Sequence, residues 1–482
     1  MNTGATYRHV LKYTGVFGLV QGITLLSSAG RNKLTTLLLG PMGLGLISVY
    51  NTISEFAVNC SNFGLPVYIT HDASALNAEA DADKMVRFAC VARTCAFWTA
   101  LFGMLFTMFL SPYLSYHFFE KESGRYQEVI ALIPIVVSMI IAEAECSLLK
   151  GLRRLRRVAV LETICAVTTL LFTIPFYFFM GFRGVIFGLT VSTLVSCLLH
   201  LSFSASIIPY RIRPFDLSLI REGWPMVKKG VPYAMTSIAN AGTTLLLASI
   251  IVAYDTLEGQ GYYRAGYTLM VSYAALIFKA LDSEYYPRLS AINTDNEKVR
   301  LVVNQQTDVC VNLVAPFLIL FVLSMPVVIP LFFRSDFLVL LNMTISSAYY
   351  MFFRAIMLPV SYTPLAKGDS VLFLVMDLLS DVAILLSMLY FYPRYQLFGA
   401  GIALSVASFV NMSINLIICK LRYGFIFSKK TLLCCVCQFI FLTISLAICF
   451  FFPSSPYLLI VLVTLLCSSC YSYNKLRKKG GV

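Results

Sequence analysis

Residues 13–69 read YTGVFGLVQGITLLSSAGRNKLTTLLLGPMGLGLISVYNTISEFAVNCSNFGLPVYI. Two apolar runs, near 13–39 and 43–69, flank a short Gly-Pro turn. Each reaches the roughly 20 helical residues that cross a bilayer. The first run contains two cations, Arg31 and Lys33. Along the second, Asn51, Glu55 and Asn59 recur at helical spacing, and Asn62 continues the same face. Charge deep in a membrane helix costs at least about 2.5–3.5 kcal/mol per group on insertion scales, so such residues point to a partner, a cavity or a substrate path. Counting from the turn at about 1.5 Å per residue puts Arg31 about 13 Å along its helix and Asn51 about 12 Å along the next, with Glu55 at about 18 Å. Arg31 is thus level with Asn51, and Glu55 lies one turn deeper. A salt bridge closing the helix pair and a cationic contact for an anionic substrate both fit this pattern.

The rest of the chain repeats the hairpin's character. With 482 residues, 58% hydrophobic and 13% charged, and a mean hydropathy of +0.78, it lies far from soluble-domain composition. Further apolar runs fall near 88–112, 126–149, 158–180 and 184–208, then near 230–253, 263–288, 304–332, 338–362, 371–392 and 398–421, with a last pair near 431–452 and 456–473. The expected fold is all-α: a polytopic membrane protein of about fourteen transmembrane helices. Two six-helix lobes, 1–208 and 230–421, are joined by an amphipathic connector at 209–229 and followed by an additional helix pair at 431–473.

Lys and Arg are lopsided across the alternating loops, 26 in one set and six in the other. The positive-inside rule then puts both termini in the cytoplasm of a multi-pass protein. That alternation also explains the net charge of +13 and the basic run Lys150 to Arg157 without nucleic acid as a partner. The start, Met1 to Lys12, resembles the basic flank of a signal peptide, but the apolar run behind it is too long and is expected to remain as an uncleaved first span. The fourteen cysteines lie in or beside spans, so no extracytoplasmic disulfide framework is expected, and Cys467 and Cys470 read as small packing residues.

An internal repeat supports the two-lobe division. Ser74-Ala75-Leu76-Asn77, followed by Lys84 and Arg87, recurs as Ser290-Ala291-Ile292-Asn293, followed by Lys298 and Arg300. The copies are six spans apart, an even number, so the lobes would be related in parallel about an axis normal to the membrane.

Intramembrane charges are the candidates for chemistry. In the second lobe these are Lys279, Asp282 and Glu284 toward the inner end of the eighth span and Arg354 deep in the tenth. Asp377 and Asp381 share a face of the eleventh, as do Asn411 and Asn415 in the twelfth. Glu55, Asp377 and Asp381 are candidates for coupling to protons or sodium. Lys279, Asp282, Glu284, Glu143 and Glu145, near inner helix ends, read first as groups reaching interfacial water. The chain has no phosphate-binding loop, no H-E-x-x-H pair and no G-x-S-x-G turn, which argues against ATP hydrolysis or zinc or serine hydrolase chemistry. The histidines His9, His71, His117 and His200 read as lone interfacial residues, with no metal ligand set expected.

Two segments resemble a known group. Gly30-Arg31-Asn32-Lys33-Leu34 through Leu39-Gly40-Pro41-Met42-Gly43-Leu44-Gly45 looks like the first turn of the Wzx-type O-antigen and oligosaccharide flippases of the multidrug/oligosaccharidyl-lipid/polysaccharide exporter superfamily. Gly261-Tyr262-Tyr263-Arg264-Ala265 through Tyr285-Tyr286-Pro287-Arg288-Leu289-Ser290 looks like the start of that family's second half. The resemblance implies a polysaccharide-biosynthesis transporter of the bacterial inner membrane, not an enzyme. It implies a V-shaped bundle that moves an undecaprenyl-diphosphate-linked oligosaccharide by alternating access, with no cofactor, coupled to an H+ or Na+ gradient or to membrane potential. Membrane lipids and polysaccharide-assembly proteins are the partners it suggests. Arg31 matches the family's basic position and is the first candidate for the diphosphate. Lys33, Arg264, Lys279 and Arg354 follow, with Asn51, Glu55 and Asn59 as candidate sugar contacts. A lipid II flippase and a cation-coupled multidrug exporter of the same superfamily are the nearest alternatives, and a membrane-embedded glycan polymerase or ligase is the alternative from another class.

Overall fold

The computed structural model describes residues 3–79, 81–119, 126–452 and 455–480. These residues form α1 (Thr3–Ser61), α2 (Leu65–Glu79), α3 (Ala82–Phe118), α4 (Tyr126–Ile130), α5 (Ile133–Gly151), α6 (Leu155–Met180), α7 (Gly184–Ala205), α8 (Leu217–Tyr254), α9 (Leu257–Ser290), α10 (Asn296–Phe332), α11 (Leu340–Ala366), α12 (Ser370–Tyr423), α13 (Lys429–Phe451) and α14 (Ser455–Gly480). No strand occurs among the described residues. Lys121 and Arg125, two of the six outer-loop cations of the sequence reading, lie outside them.

Among the described residues, ten helical stretches are long and apolar enough to cross a membrane. Three of the ten hold two helical arms each: residues 22–61 break at Gly40, 155–205 contain α6 and α7, and 370–423 break at Gln396. They therefore supply thirteen crossings, and α9 makes the fourteenth. The number agrees with the sequence.

The opening hairpin is folded by its Gly-Pro turn. Gly40 takes φ 64° and ψ −165° inside α1, a conformation essentially restricted to glycine. Pro41 then removes the N–H that would continue the helix across the break. The second apolar run is not continuous, because the chain turns at Phe63 and Gly64 (φ 49° and 70°) before α2 begins.

The chain divides by its contacts into two compact units, Met1–Ala253 and Tyr254–Val482. In the first, α1 packs on α6, α6 on α7, and α5 on α2, α3 and α7. Leu65, Ile69, Ala89, Leu148, Leu219 and Met226 form one of its buried clusters. In the second, α11 packs on α10 and α12, and α10 on α13 and α14.

This division falls one helix later than the connector at 209–229. Residues 217–229 are not a separate surface helix but the first turns of the 38-residue α8. Gly230 of α8 meets the turn before α2 so closely that a Cβ at Gly64 would lie 2.1 Å from its carbonyl oxygen. Trp98 Nε1 also donates to Pro214 O at 2.8 Å, and Arg87 pairs with Glu222 at 2.9 Å.

The final helix pair is anchored by amides. Gln438 on α13 donates to Asn312 Oδ1 on α10 at 3.1 Å and to Ser472 Oγ on α14 at 2.8 Å, while Ser468 Oγ donates to Gln438 Oε1 at 2.7 Å. Cys467 and Cys470, read as small packing residues, lie on the exposed face of α14.

Candidate functional site

Asn62, at the end of the chain's second helical arm, builds a corner in the first unit. Its Oδ1 accepts the Gly64 N–H at 3.0 Å, and its Nδ2 donates to Glu143 Oε2 on α5 at 3.3 Å. Around this corner lies a cavity of about 400 Å³. Asn59 lines it from α1 and Asn62 from the turn that follows, Glu143, Cys146, Ser147 and Lys150 from α5, Glu162 from α6, and Thr193, Ser196 and His200 from α7. The polar groups of α5 and α7 recur every three to four residues, which puts them on one face of each helix. Amides and hydroxyls of this kind pair with sugar hydroxyls, and Lys150 offers a cation at the basic end of α5. Glu143 is therefore a cavity-wall residue rather than one that merely reaches interfacial water.

One side of this cavity gathers ligand atoms of Cys146, Glu162 and His200, all within 4.8 Å of one another. The sequence reading treats His200 as a lone interfacial residue. The structure buries it on α7, where its Nδ1 donates to Ser196 O at 2.8 Å.

A second polar centre of the first unit is missed by the sequence reading. Arg93 on α3 and Glu145 on α5 form a bidentate ion pair, with Nε to Oε1 at 2.8 Å and Nη2 to Oε2 at 3.1 Å, and each side chain is only 2% exposed. Arg93 also donates to Pro209 O at 2.8 Å and Ser204 Oγ at 3.2 Å, and its guanidinium lies 4.7 Å from the Tyr210 ring centre. Glu145 thus does not reach interfacial water as expected; it is sealed in a structural pair that ties α3, α5, α7 and the strap at 206–216 together. The available signal is two opposite charges inside neighbouring apolar spans.

The remaining candidates are dispersed. Arg31, Lys33 and Asn51 are half-buried on α1, and Glu55 is exposed there. Asn59 stands in the cavity wall and donates to Glu55 O at 2.8 Å. Arg31 lies within electrostatic reach of the Tyr177 hydroxyl on α6. In the second unit, Arg264 on α9 and Arg354 on α11 both act on the Tyr267 hydroxyl, and Arg354 Nη1 donates to Tyr350 OH at 3.0 Å. The structure therefore brings these two candidate cations to one tyrosine pair. The side chains of Lys279, Asp282 and Glu284 lie outside the described residues. Asp377 and Asp381 are half-buried on the first arm of α12, where Ser380 accepts from Asn411 of the second arm at 2.7 Å.

The second unit also carries an apolar groove of about 560 Å³ between α11, α12 and α13, lined by aromatic residues including Tyr349, Phe353, Phe398, Phe409, Phe439 and Phe450. Its surface suits a hydrocarbon chain and offers little to a charged headgroup.

Comparison with known proteins agrees with this architecture. A structure described as the lipid II flippase MurJ in an inward closed conformation superposes with a TM-score of 0.71 at 15% identity, covering 96% of this chain and 99% of that one. An inward-facing multidrug resistance MATE family transporter of the MOP superfamily gives 0.65 at 13% identity, over 83% of this chain and 94% of that one. A MOP superfamily transporter from Pyrococcus furiosus, whose binding pocket is described as having reversed polarity, gives 0.56 at 13% identity, over 85% and 93%. At such identities the likeness is one of fold. No curated protein matches the chain by sequence. Residues 36–342 match the family described as "Polysaccharide biosynthesis protein". This match spans more than half of the chain, from the Gly-Pro hairpin into α11, and the chain belongs to the polysaccharide biosynthesis protein family.

Proposed function

We propose that this protein is a flippase that moves an undecaprenyl-diphosphate-linked oligosaccharide, an O-antigen or other surface-polysaccharide unit, across the bacterial inner membrane by alternating access. The observation that carries this reading is the family match joined to a fold shared with a lipid II flippase over 96% of the chain. Three local chemistries support it. The cation candidates Arg31, Arg264 and Arg354 suit a diphosphate, the amide- and hydroxyl-rich cavity suits a sugar, and the aromatic groove suits a polyprenyl tail. The multidrug-exporter fold covers less of the chain, 83%, and a hydrophobic drug gives no reason for the half-buried guanidiniums of Arg31, Arg264 and Arg354.

The termini face the cytoplasm in this reading, and the cargo passes between the leaflets without chemical change. Membrane potential supplies about 2.3 kcal/mol per charge per 100 mV, enough to bias a conformational equilibrium of a few kcal/mol. Glu55, Asp377 and Asp381 are the carboxylates proposed to couple an ion to that equilibrium, and surface-polysaccharide assembly proteins are the proposed neighbours. Arg31→Ala tests the headgroup role. Losing a charge-assisted contact worth about 1.5–3 kcal/mol lowers translocation of the lipid-linked sugar at least about tenfold at matched expression and stability. Undiminished flipping rejects it.

A further inference from the structure

The cavity of the first unit contains a group of side chains that the transport reading does not use. Cys146 on α5, Glu162 on α6 and His200 on α7 each turn one ligand atom into a space where all three lie within 4.8 Å of one another, and all three line the cavity. Cys146 Sγ stands 3.7 Å from Glu162 Oε1, close to the separation of two ligands on one tetrahedral zinc ion, whose bonds are about 2.3 Å to sulfur and about 2.0–2.2 Å to oxygen.

The imidazole is already oriented. A carbonyl oxygen only accepts, so the 2.8 Å contact with Ser196 O puts the proton on Nδ1, and the lone pair of the neutral ring is on Nε2. A backbone carbonyl holding the non-ligating nitrogen is the usual support of a metal-bound histidine. Charge points the same way. A thiolate, a carboxylate and a neutral imidazole together carry two negative charges, which cancel a divalent cation in a site where Cys146 and His200 are both buried. Thiolate and imidazole exclude magnesium and calcium as the preferred ions and favour zinc.

We propose that Cys146, Glu162 and His200 form a divalent transition-metal site selective for Zn2+, with its fourth coordination position open to the cavity. On binding, the Cys146 thiol loses its proton to solvent as the Zn–S bond forms. Three protein ligands and one open position are the arrangement that lets a bound zinc take water or an anionic oxygen in addition. The proposal stands independently of the cargo, because its readout is metal binding and not transport.

The test uses the full chain in nanodiscs, stripped with a chelator and titrated with Co2+ and then with buffered Zn2+. The expected result is one tight equivalent with a thiolate-to-cobalt charge-transfer band. Cys146→Ser abolishes that band, and Glu162→Gln, a change at an exposed side chain that leaves folding intact, weakens affinity at least tenfold. The control Cys467→Ser/Cys470→Ser, on the exposed face of α14, keeps the equivalent unchanged. A tight equivalent that survives both Cys146→Ser and Glu162→Gln, or one that disappears with Cys467→Ser/Cys470→Ser, overturns the proposal, as does the absence of any tight equivalent in the wild-type protein.

Discussion

The turn between α6 and α7 and the bend inside α12 solve one problem with different residues. Residues 176–189 read FYFFMGFRGVIFGL and 391–404 read FYPRYQLFGAGIAL. Gly181 has φ 58° and ψ −134°, and Gln396, at the same place in its segment, has φ 47° and ψ −128°. Three residues later a Cβ on Gly184 would lie 2.1 Å from Phe176 O, and one on Gly399 would lie 2.2 Å from Phe391 O. Tyr177 and Tyr392 are both buried beside these breaks. The caps repeat as well. Asp81 and Asp295 each accept a backbone N–H three residues on, from Lys84 and Lys298, at 3.1 Å. Backbone devices therefore recur in the two units, whereas the buried polar centres among the described residues differ: the first seals the Arg93–Glu145 ion pair and the second the Gln438–Asn312 amide network beside the buried Asp308. Crossing geometry constrains the backbone alike in both units, and each interior is left to specialise.

The largest expected effect breaks the charged half of that contrast. Arg93→Met leaves Glu145 buried without its cation and costs about 3–5 kcal/mol, while the double change Arg93→Met/Glu145→Met returns close to the wild-type stability. Unfolding in mixed micelles measures both. A single variant as stable as the double one would show that the pair is not the buried charge centre of its unit. Gln438→Leu removes both donors and the acceptor that Asn312, Ser468 and Ser472 use, for a loss of about 1–3 kcal/mol. It is also expected to loosen α13 and α14 from α10, read as faster protease cleavage between residues 424 and 428. A cost equal to that of Arg93→Met would erase the distinction between the two interiors.

Much of the fold is legible in the sequence because apolar length is a strong signal and the bilayer fixes its scale. The hairpin turn is legible because Gly40-Pro41 has a local mechanism. The break at Phe63–Gly64 is not, since it lies within one apolar run and is fixed by a distant contact with Gly230. The break in α12 is legible as the gap between the runs at 371–392 and 398–421, which holds Pro393 and Arg394, but Gln396 as its turning residue is not, because glutamine rarely takes positive φ. The site is less legible than the fold. Asn59 is found by helical spacing, but Arg93 and Glu145, or Cys146, Glu162 and His200, become neighbours only when separate helices pack.

The matched breaks can be tested by exchanging their residues. Gly181→Ala places a Cβ at positive φ where nothing lies within 4 Å, so backbone strain alone costs about 1–2 kcal/mol. Gln396→Gly relieves the same strain, offset by the greater entropy of an unfolded glycine, for a net gain of about 0.5–1 kcal/mol. Opposite signs in the two variants support a common device. A loss at Gln396→Gly would show that its side chain, rather than the bend, holds that position.

The smallest effect concerns the repeated caps and has a defined pH direction. The Lys84 backbone N–H, with the ammonium beside it, holds the Asp81 carboxyl below the usual carboxylate range, and Lys298 does the same for Asp295. A carboxylate depressed in the folded state stabilises above its unfolded value, about 3.9, and loses that contribution as pH falls through the folded value. Both caps are therefore fully effective from about pH 5 upward, and their contribution fades below about pH 4. Asp81→Asn and Asp295→Asn keep an acceptor for the backbone N–H but do not titrate. The melting-temperature difference between the wild type and the double variant is expected to be small and constant from about pH 5 to 8, then to shrink toward pH 3. Both single variants should show part of that change, with the larger share at Asp295→Asn, because Asp295 accepts from the backbone N–H groups of both Glu297 and Lys298 whereas Asp81 accepts from that of Lys84. A change confined to Asp81→Asn would mean that hydrogen bonding does not set the energy of these caps.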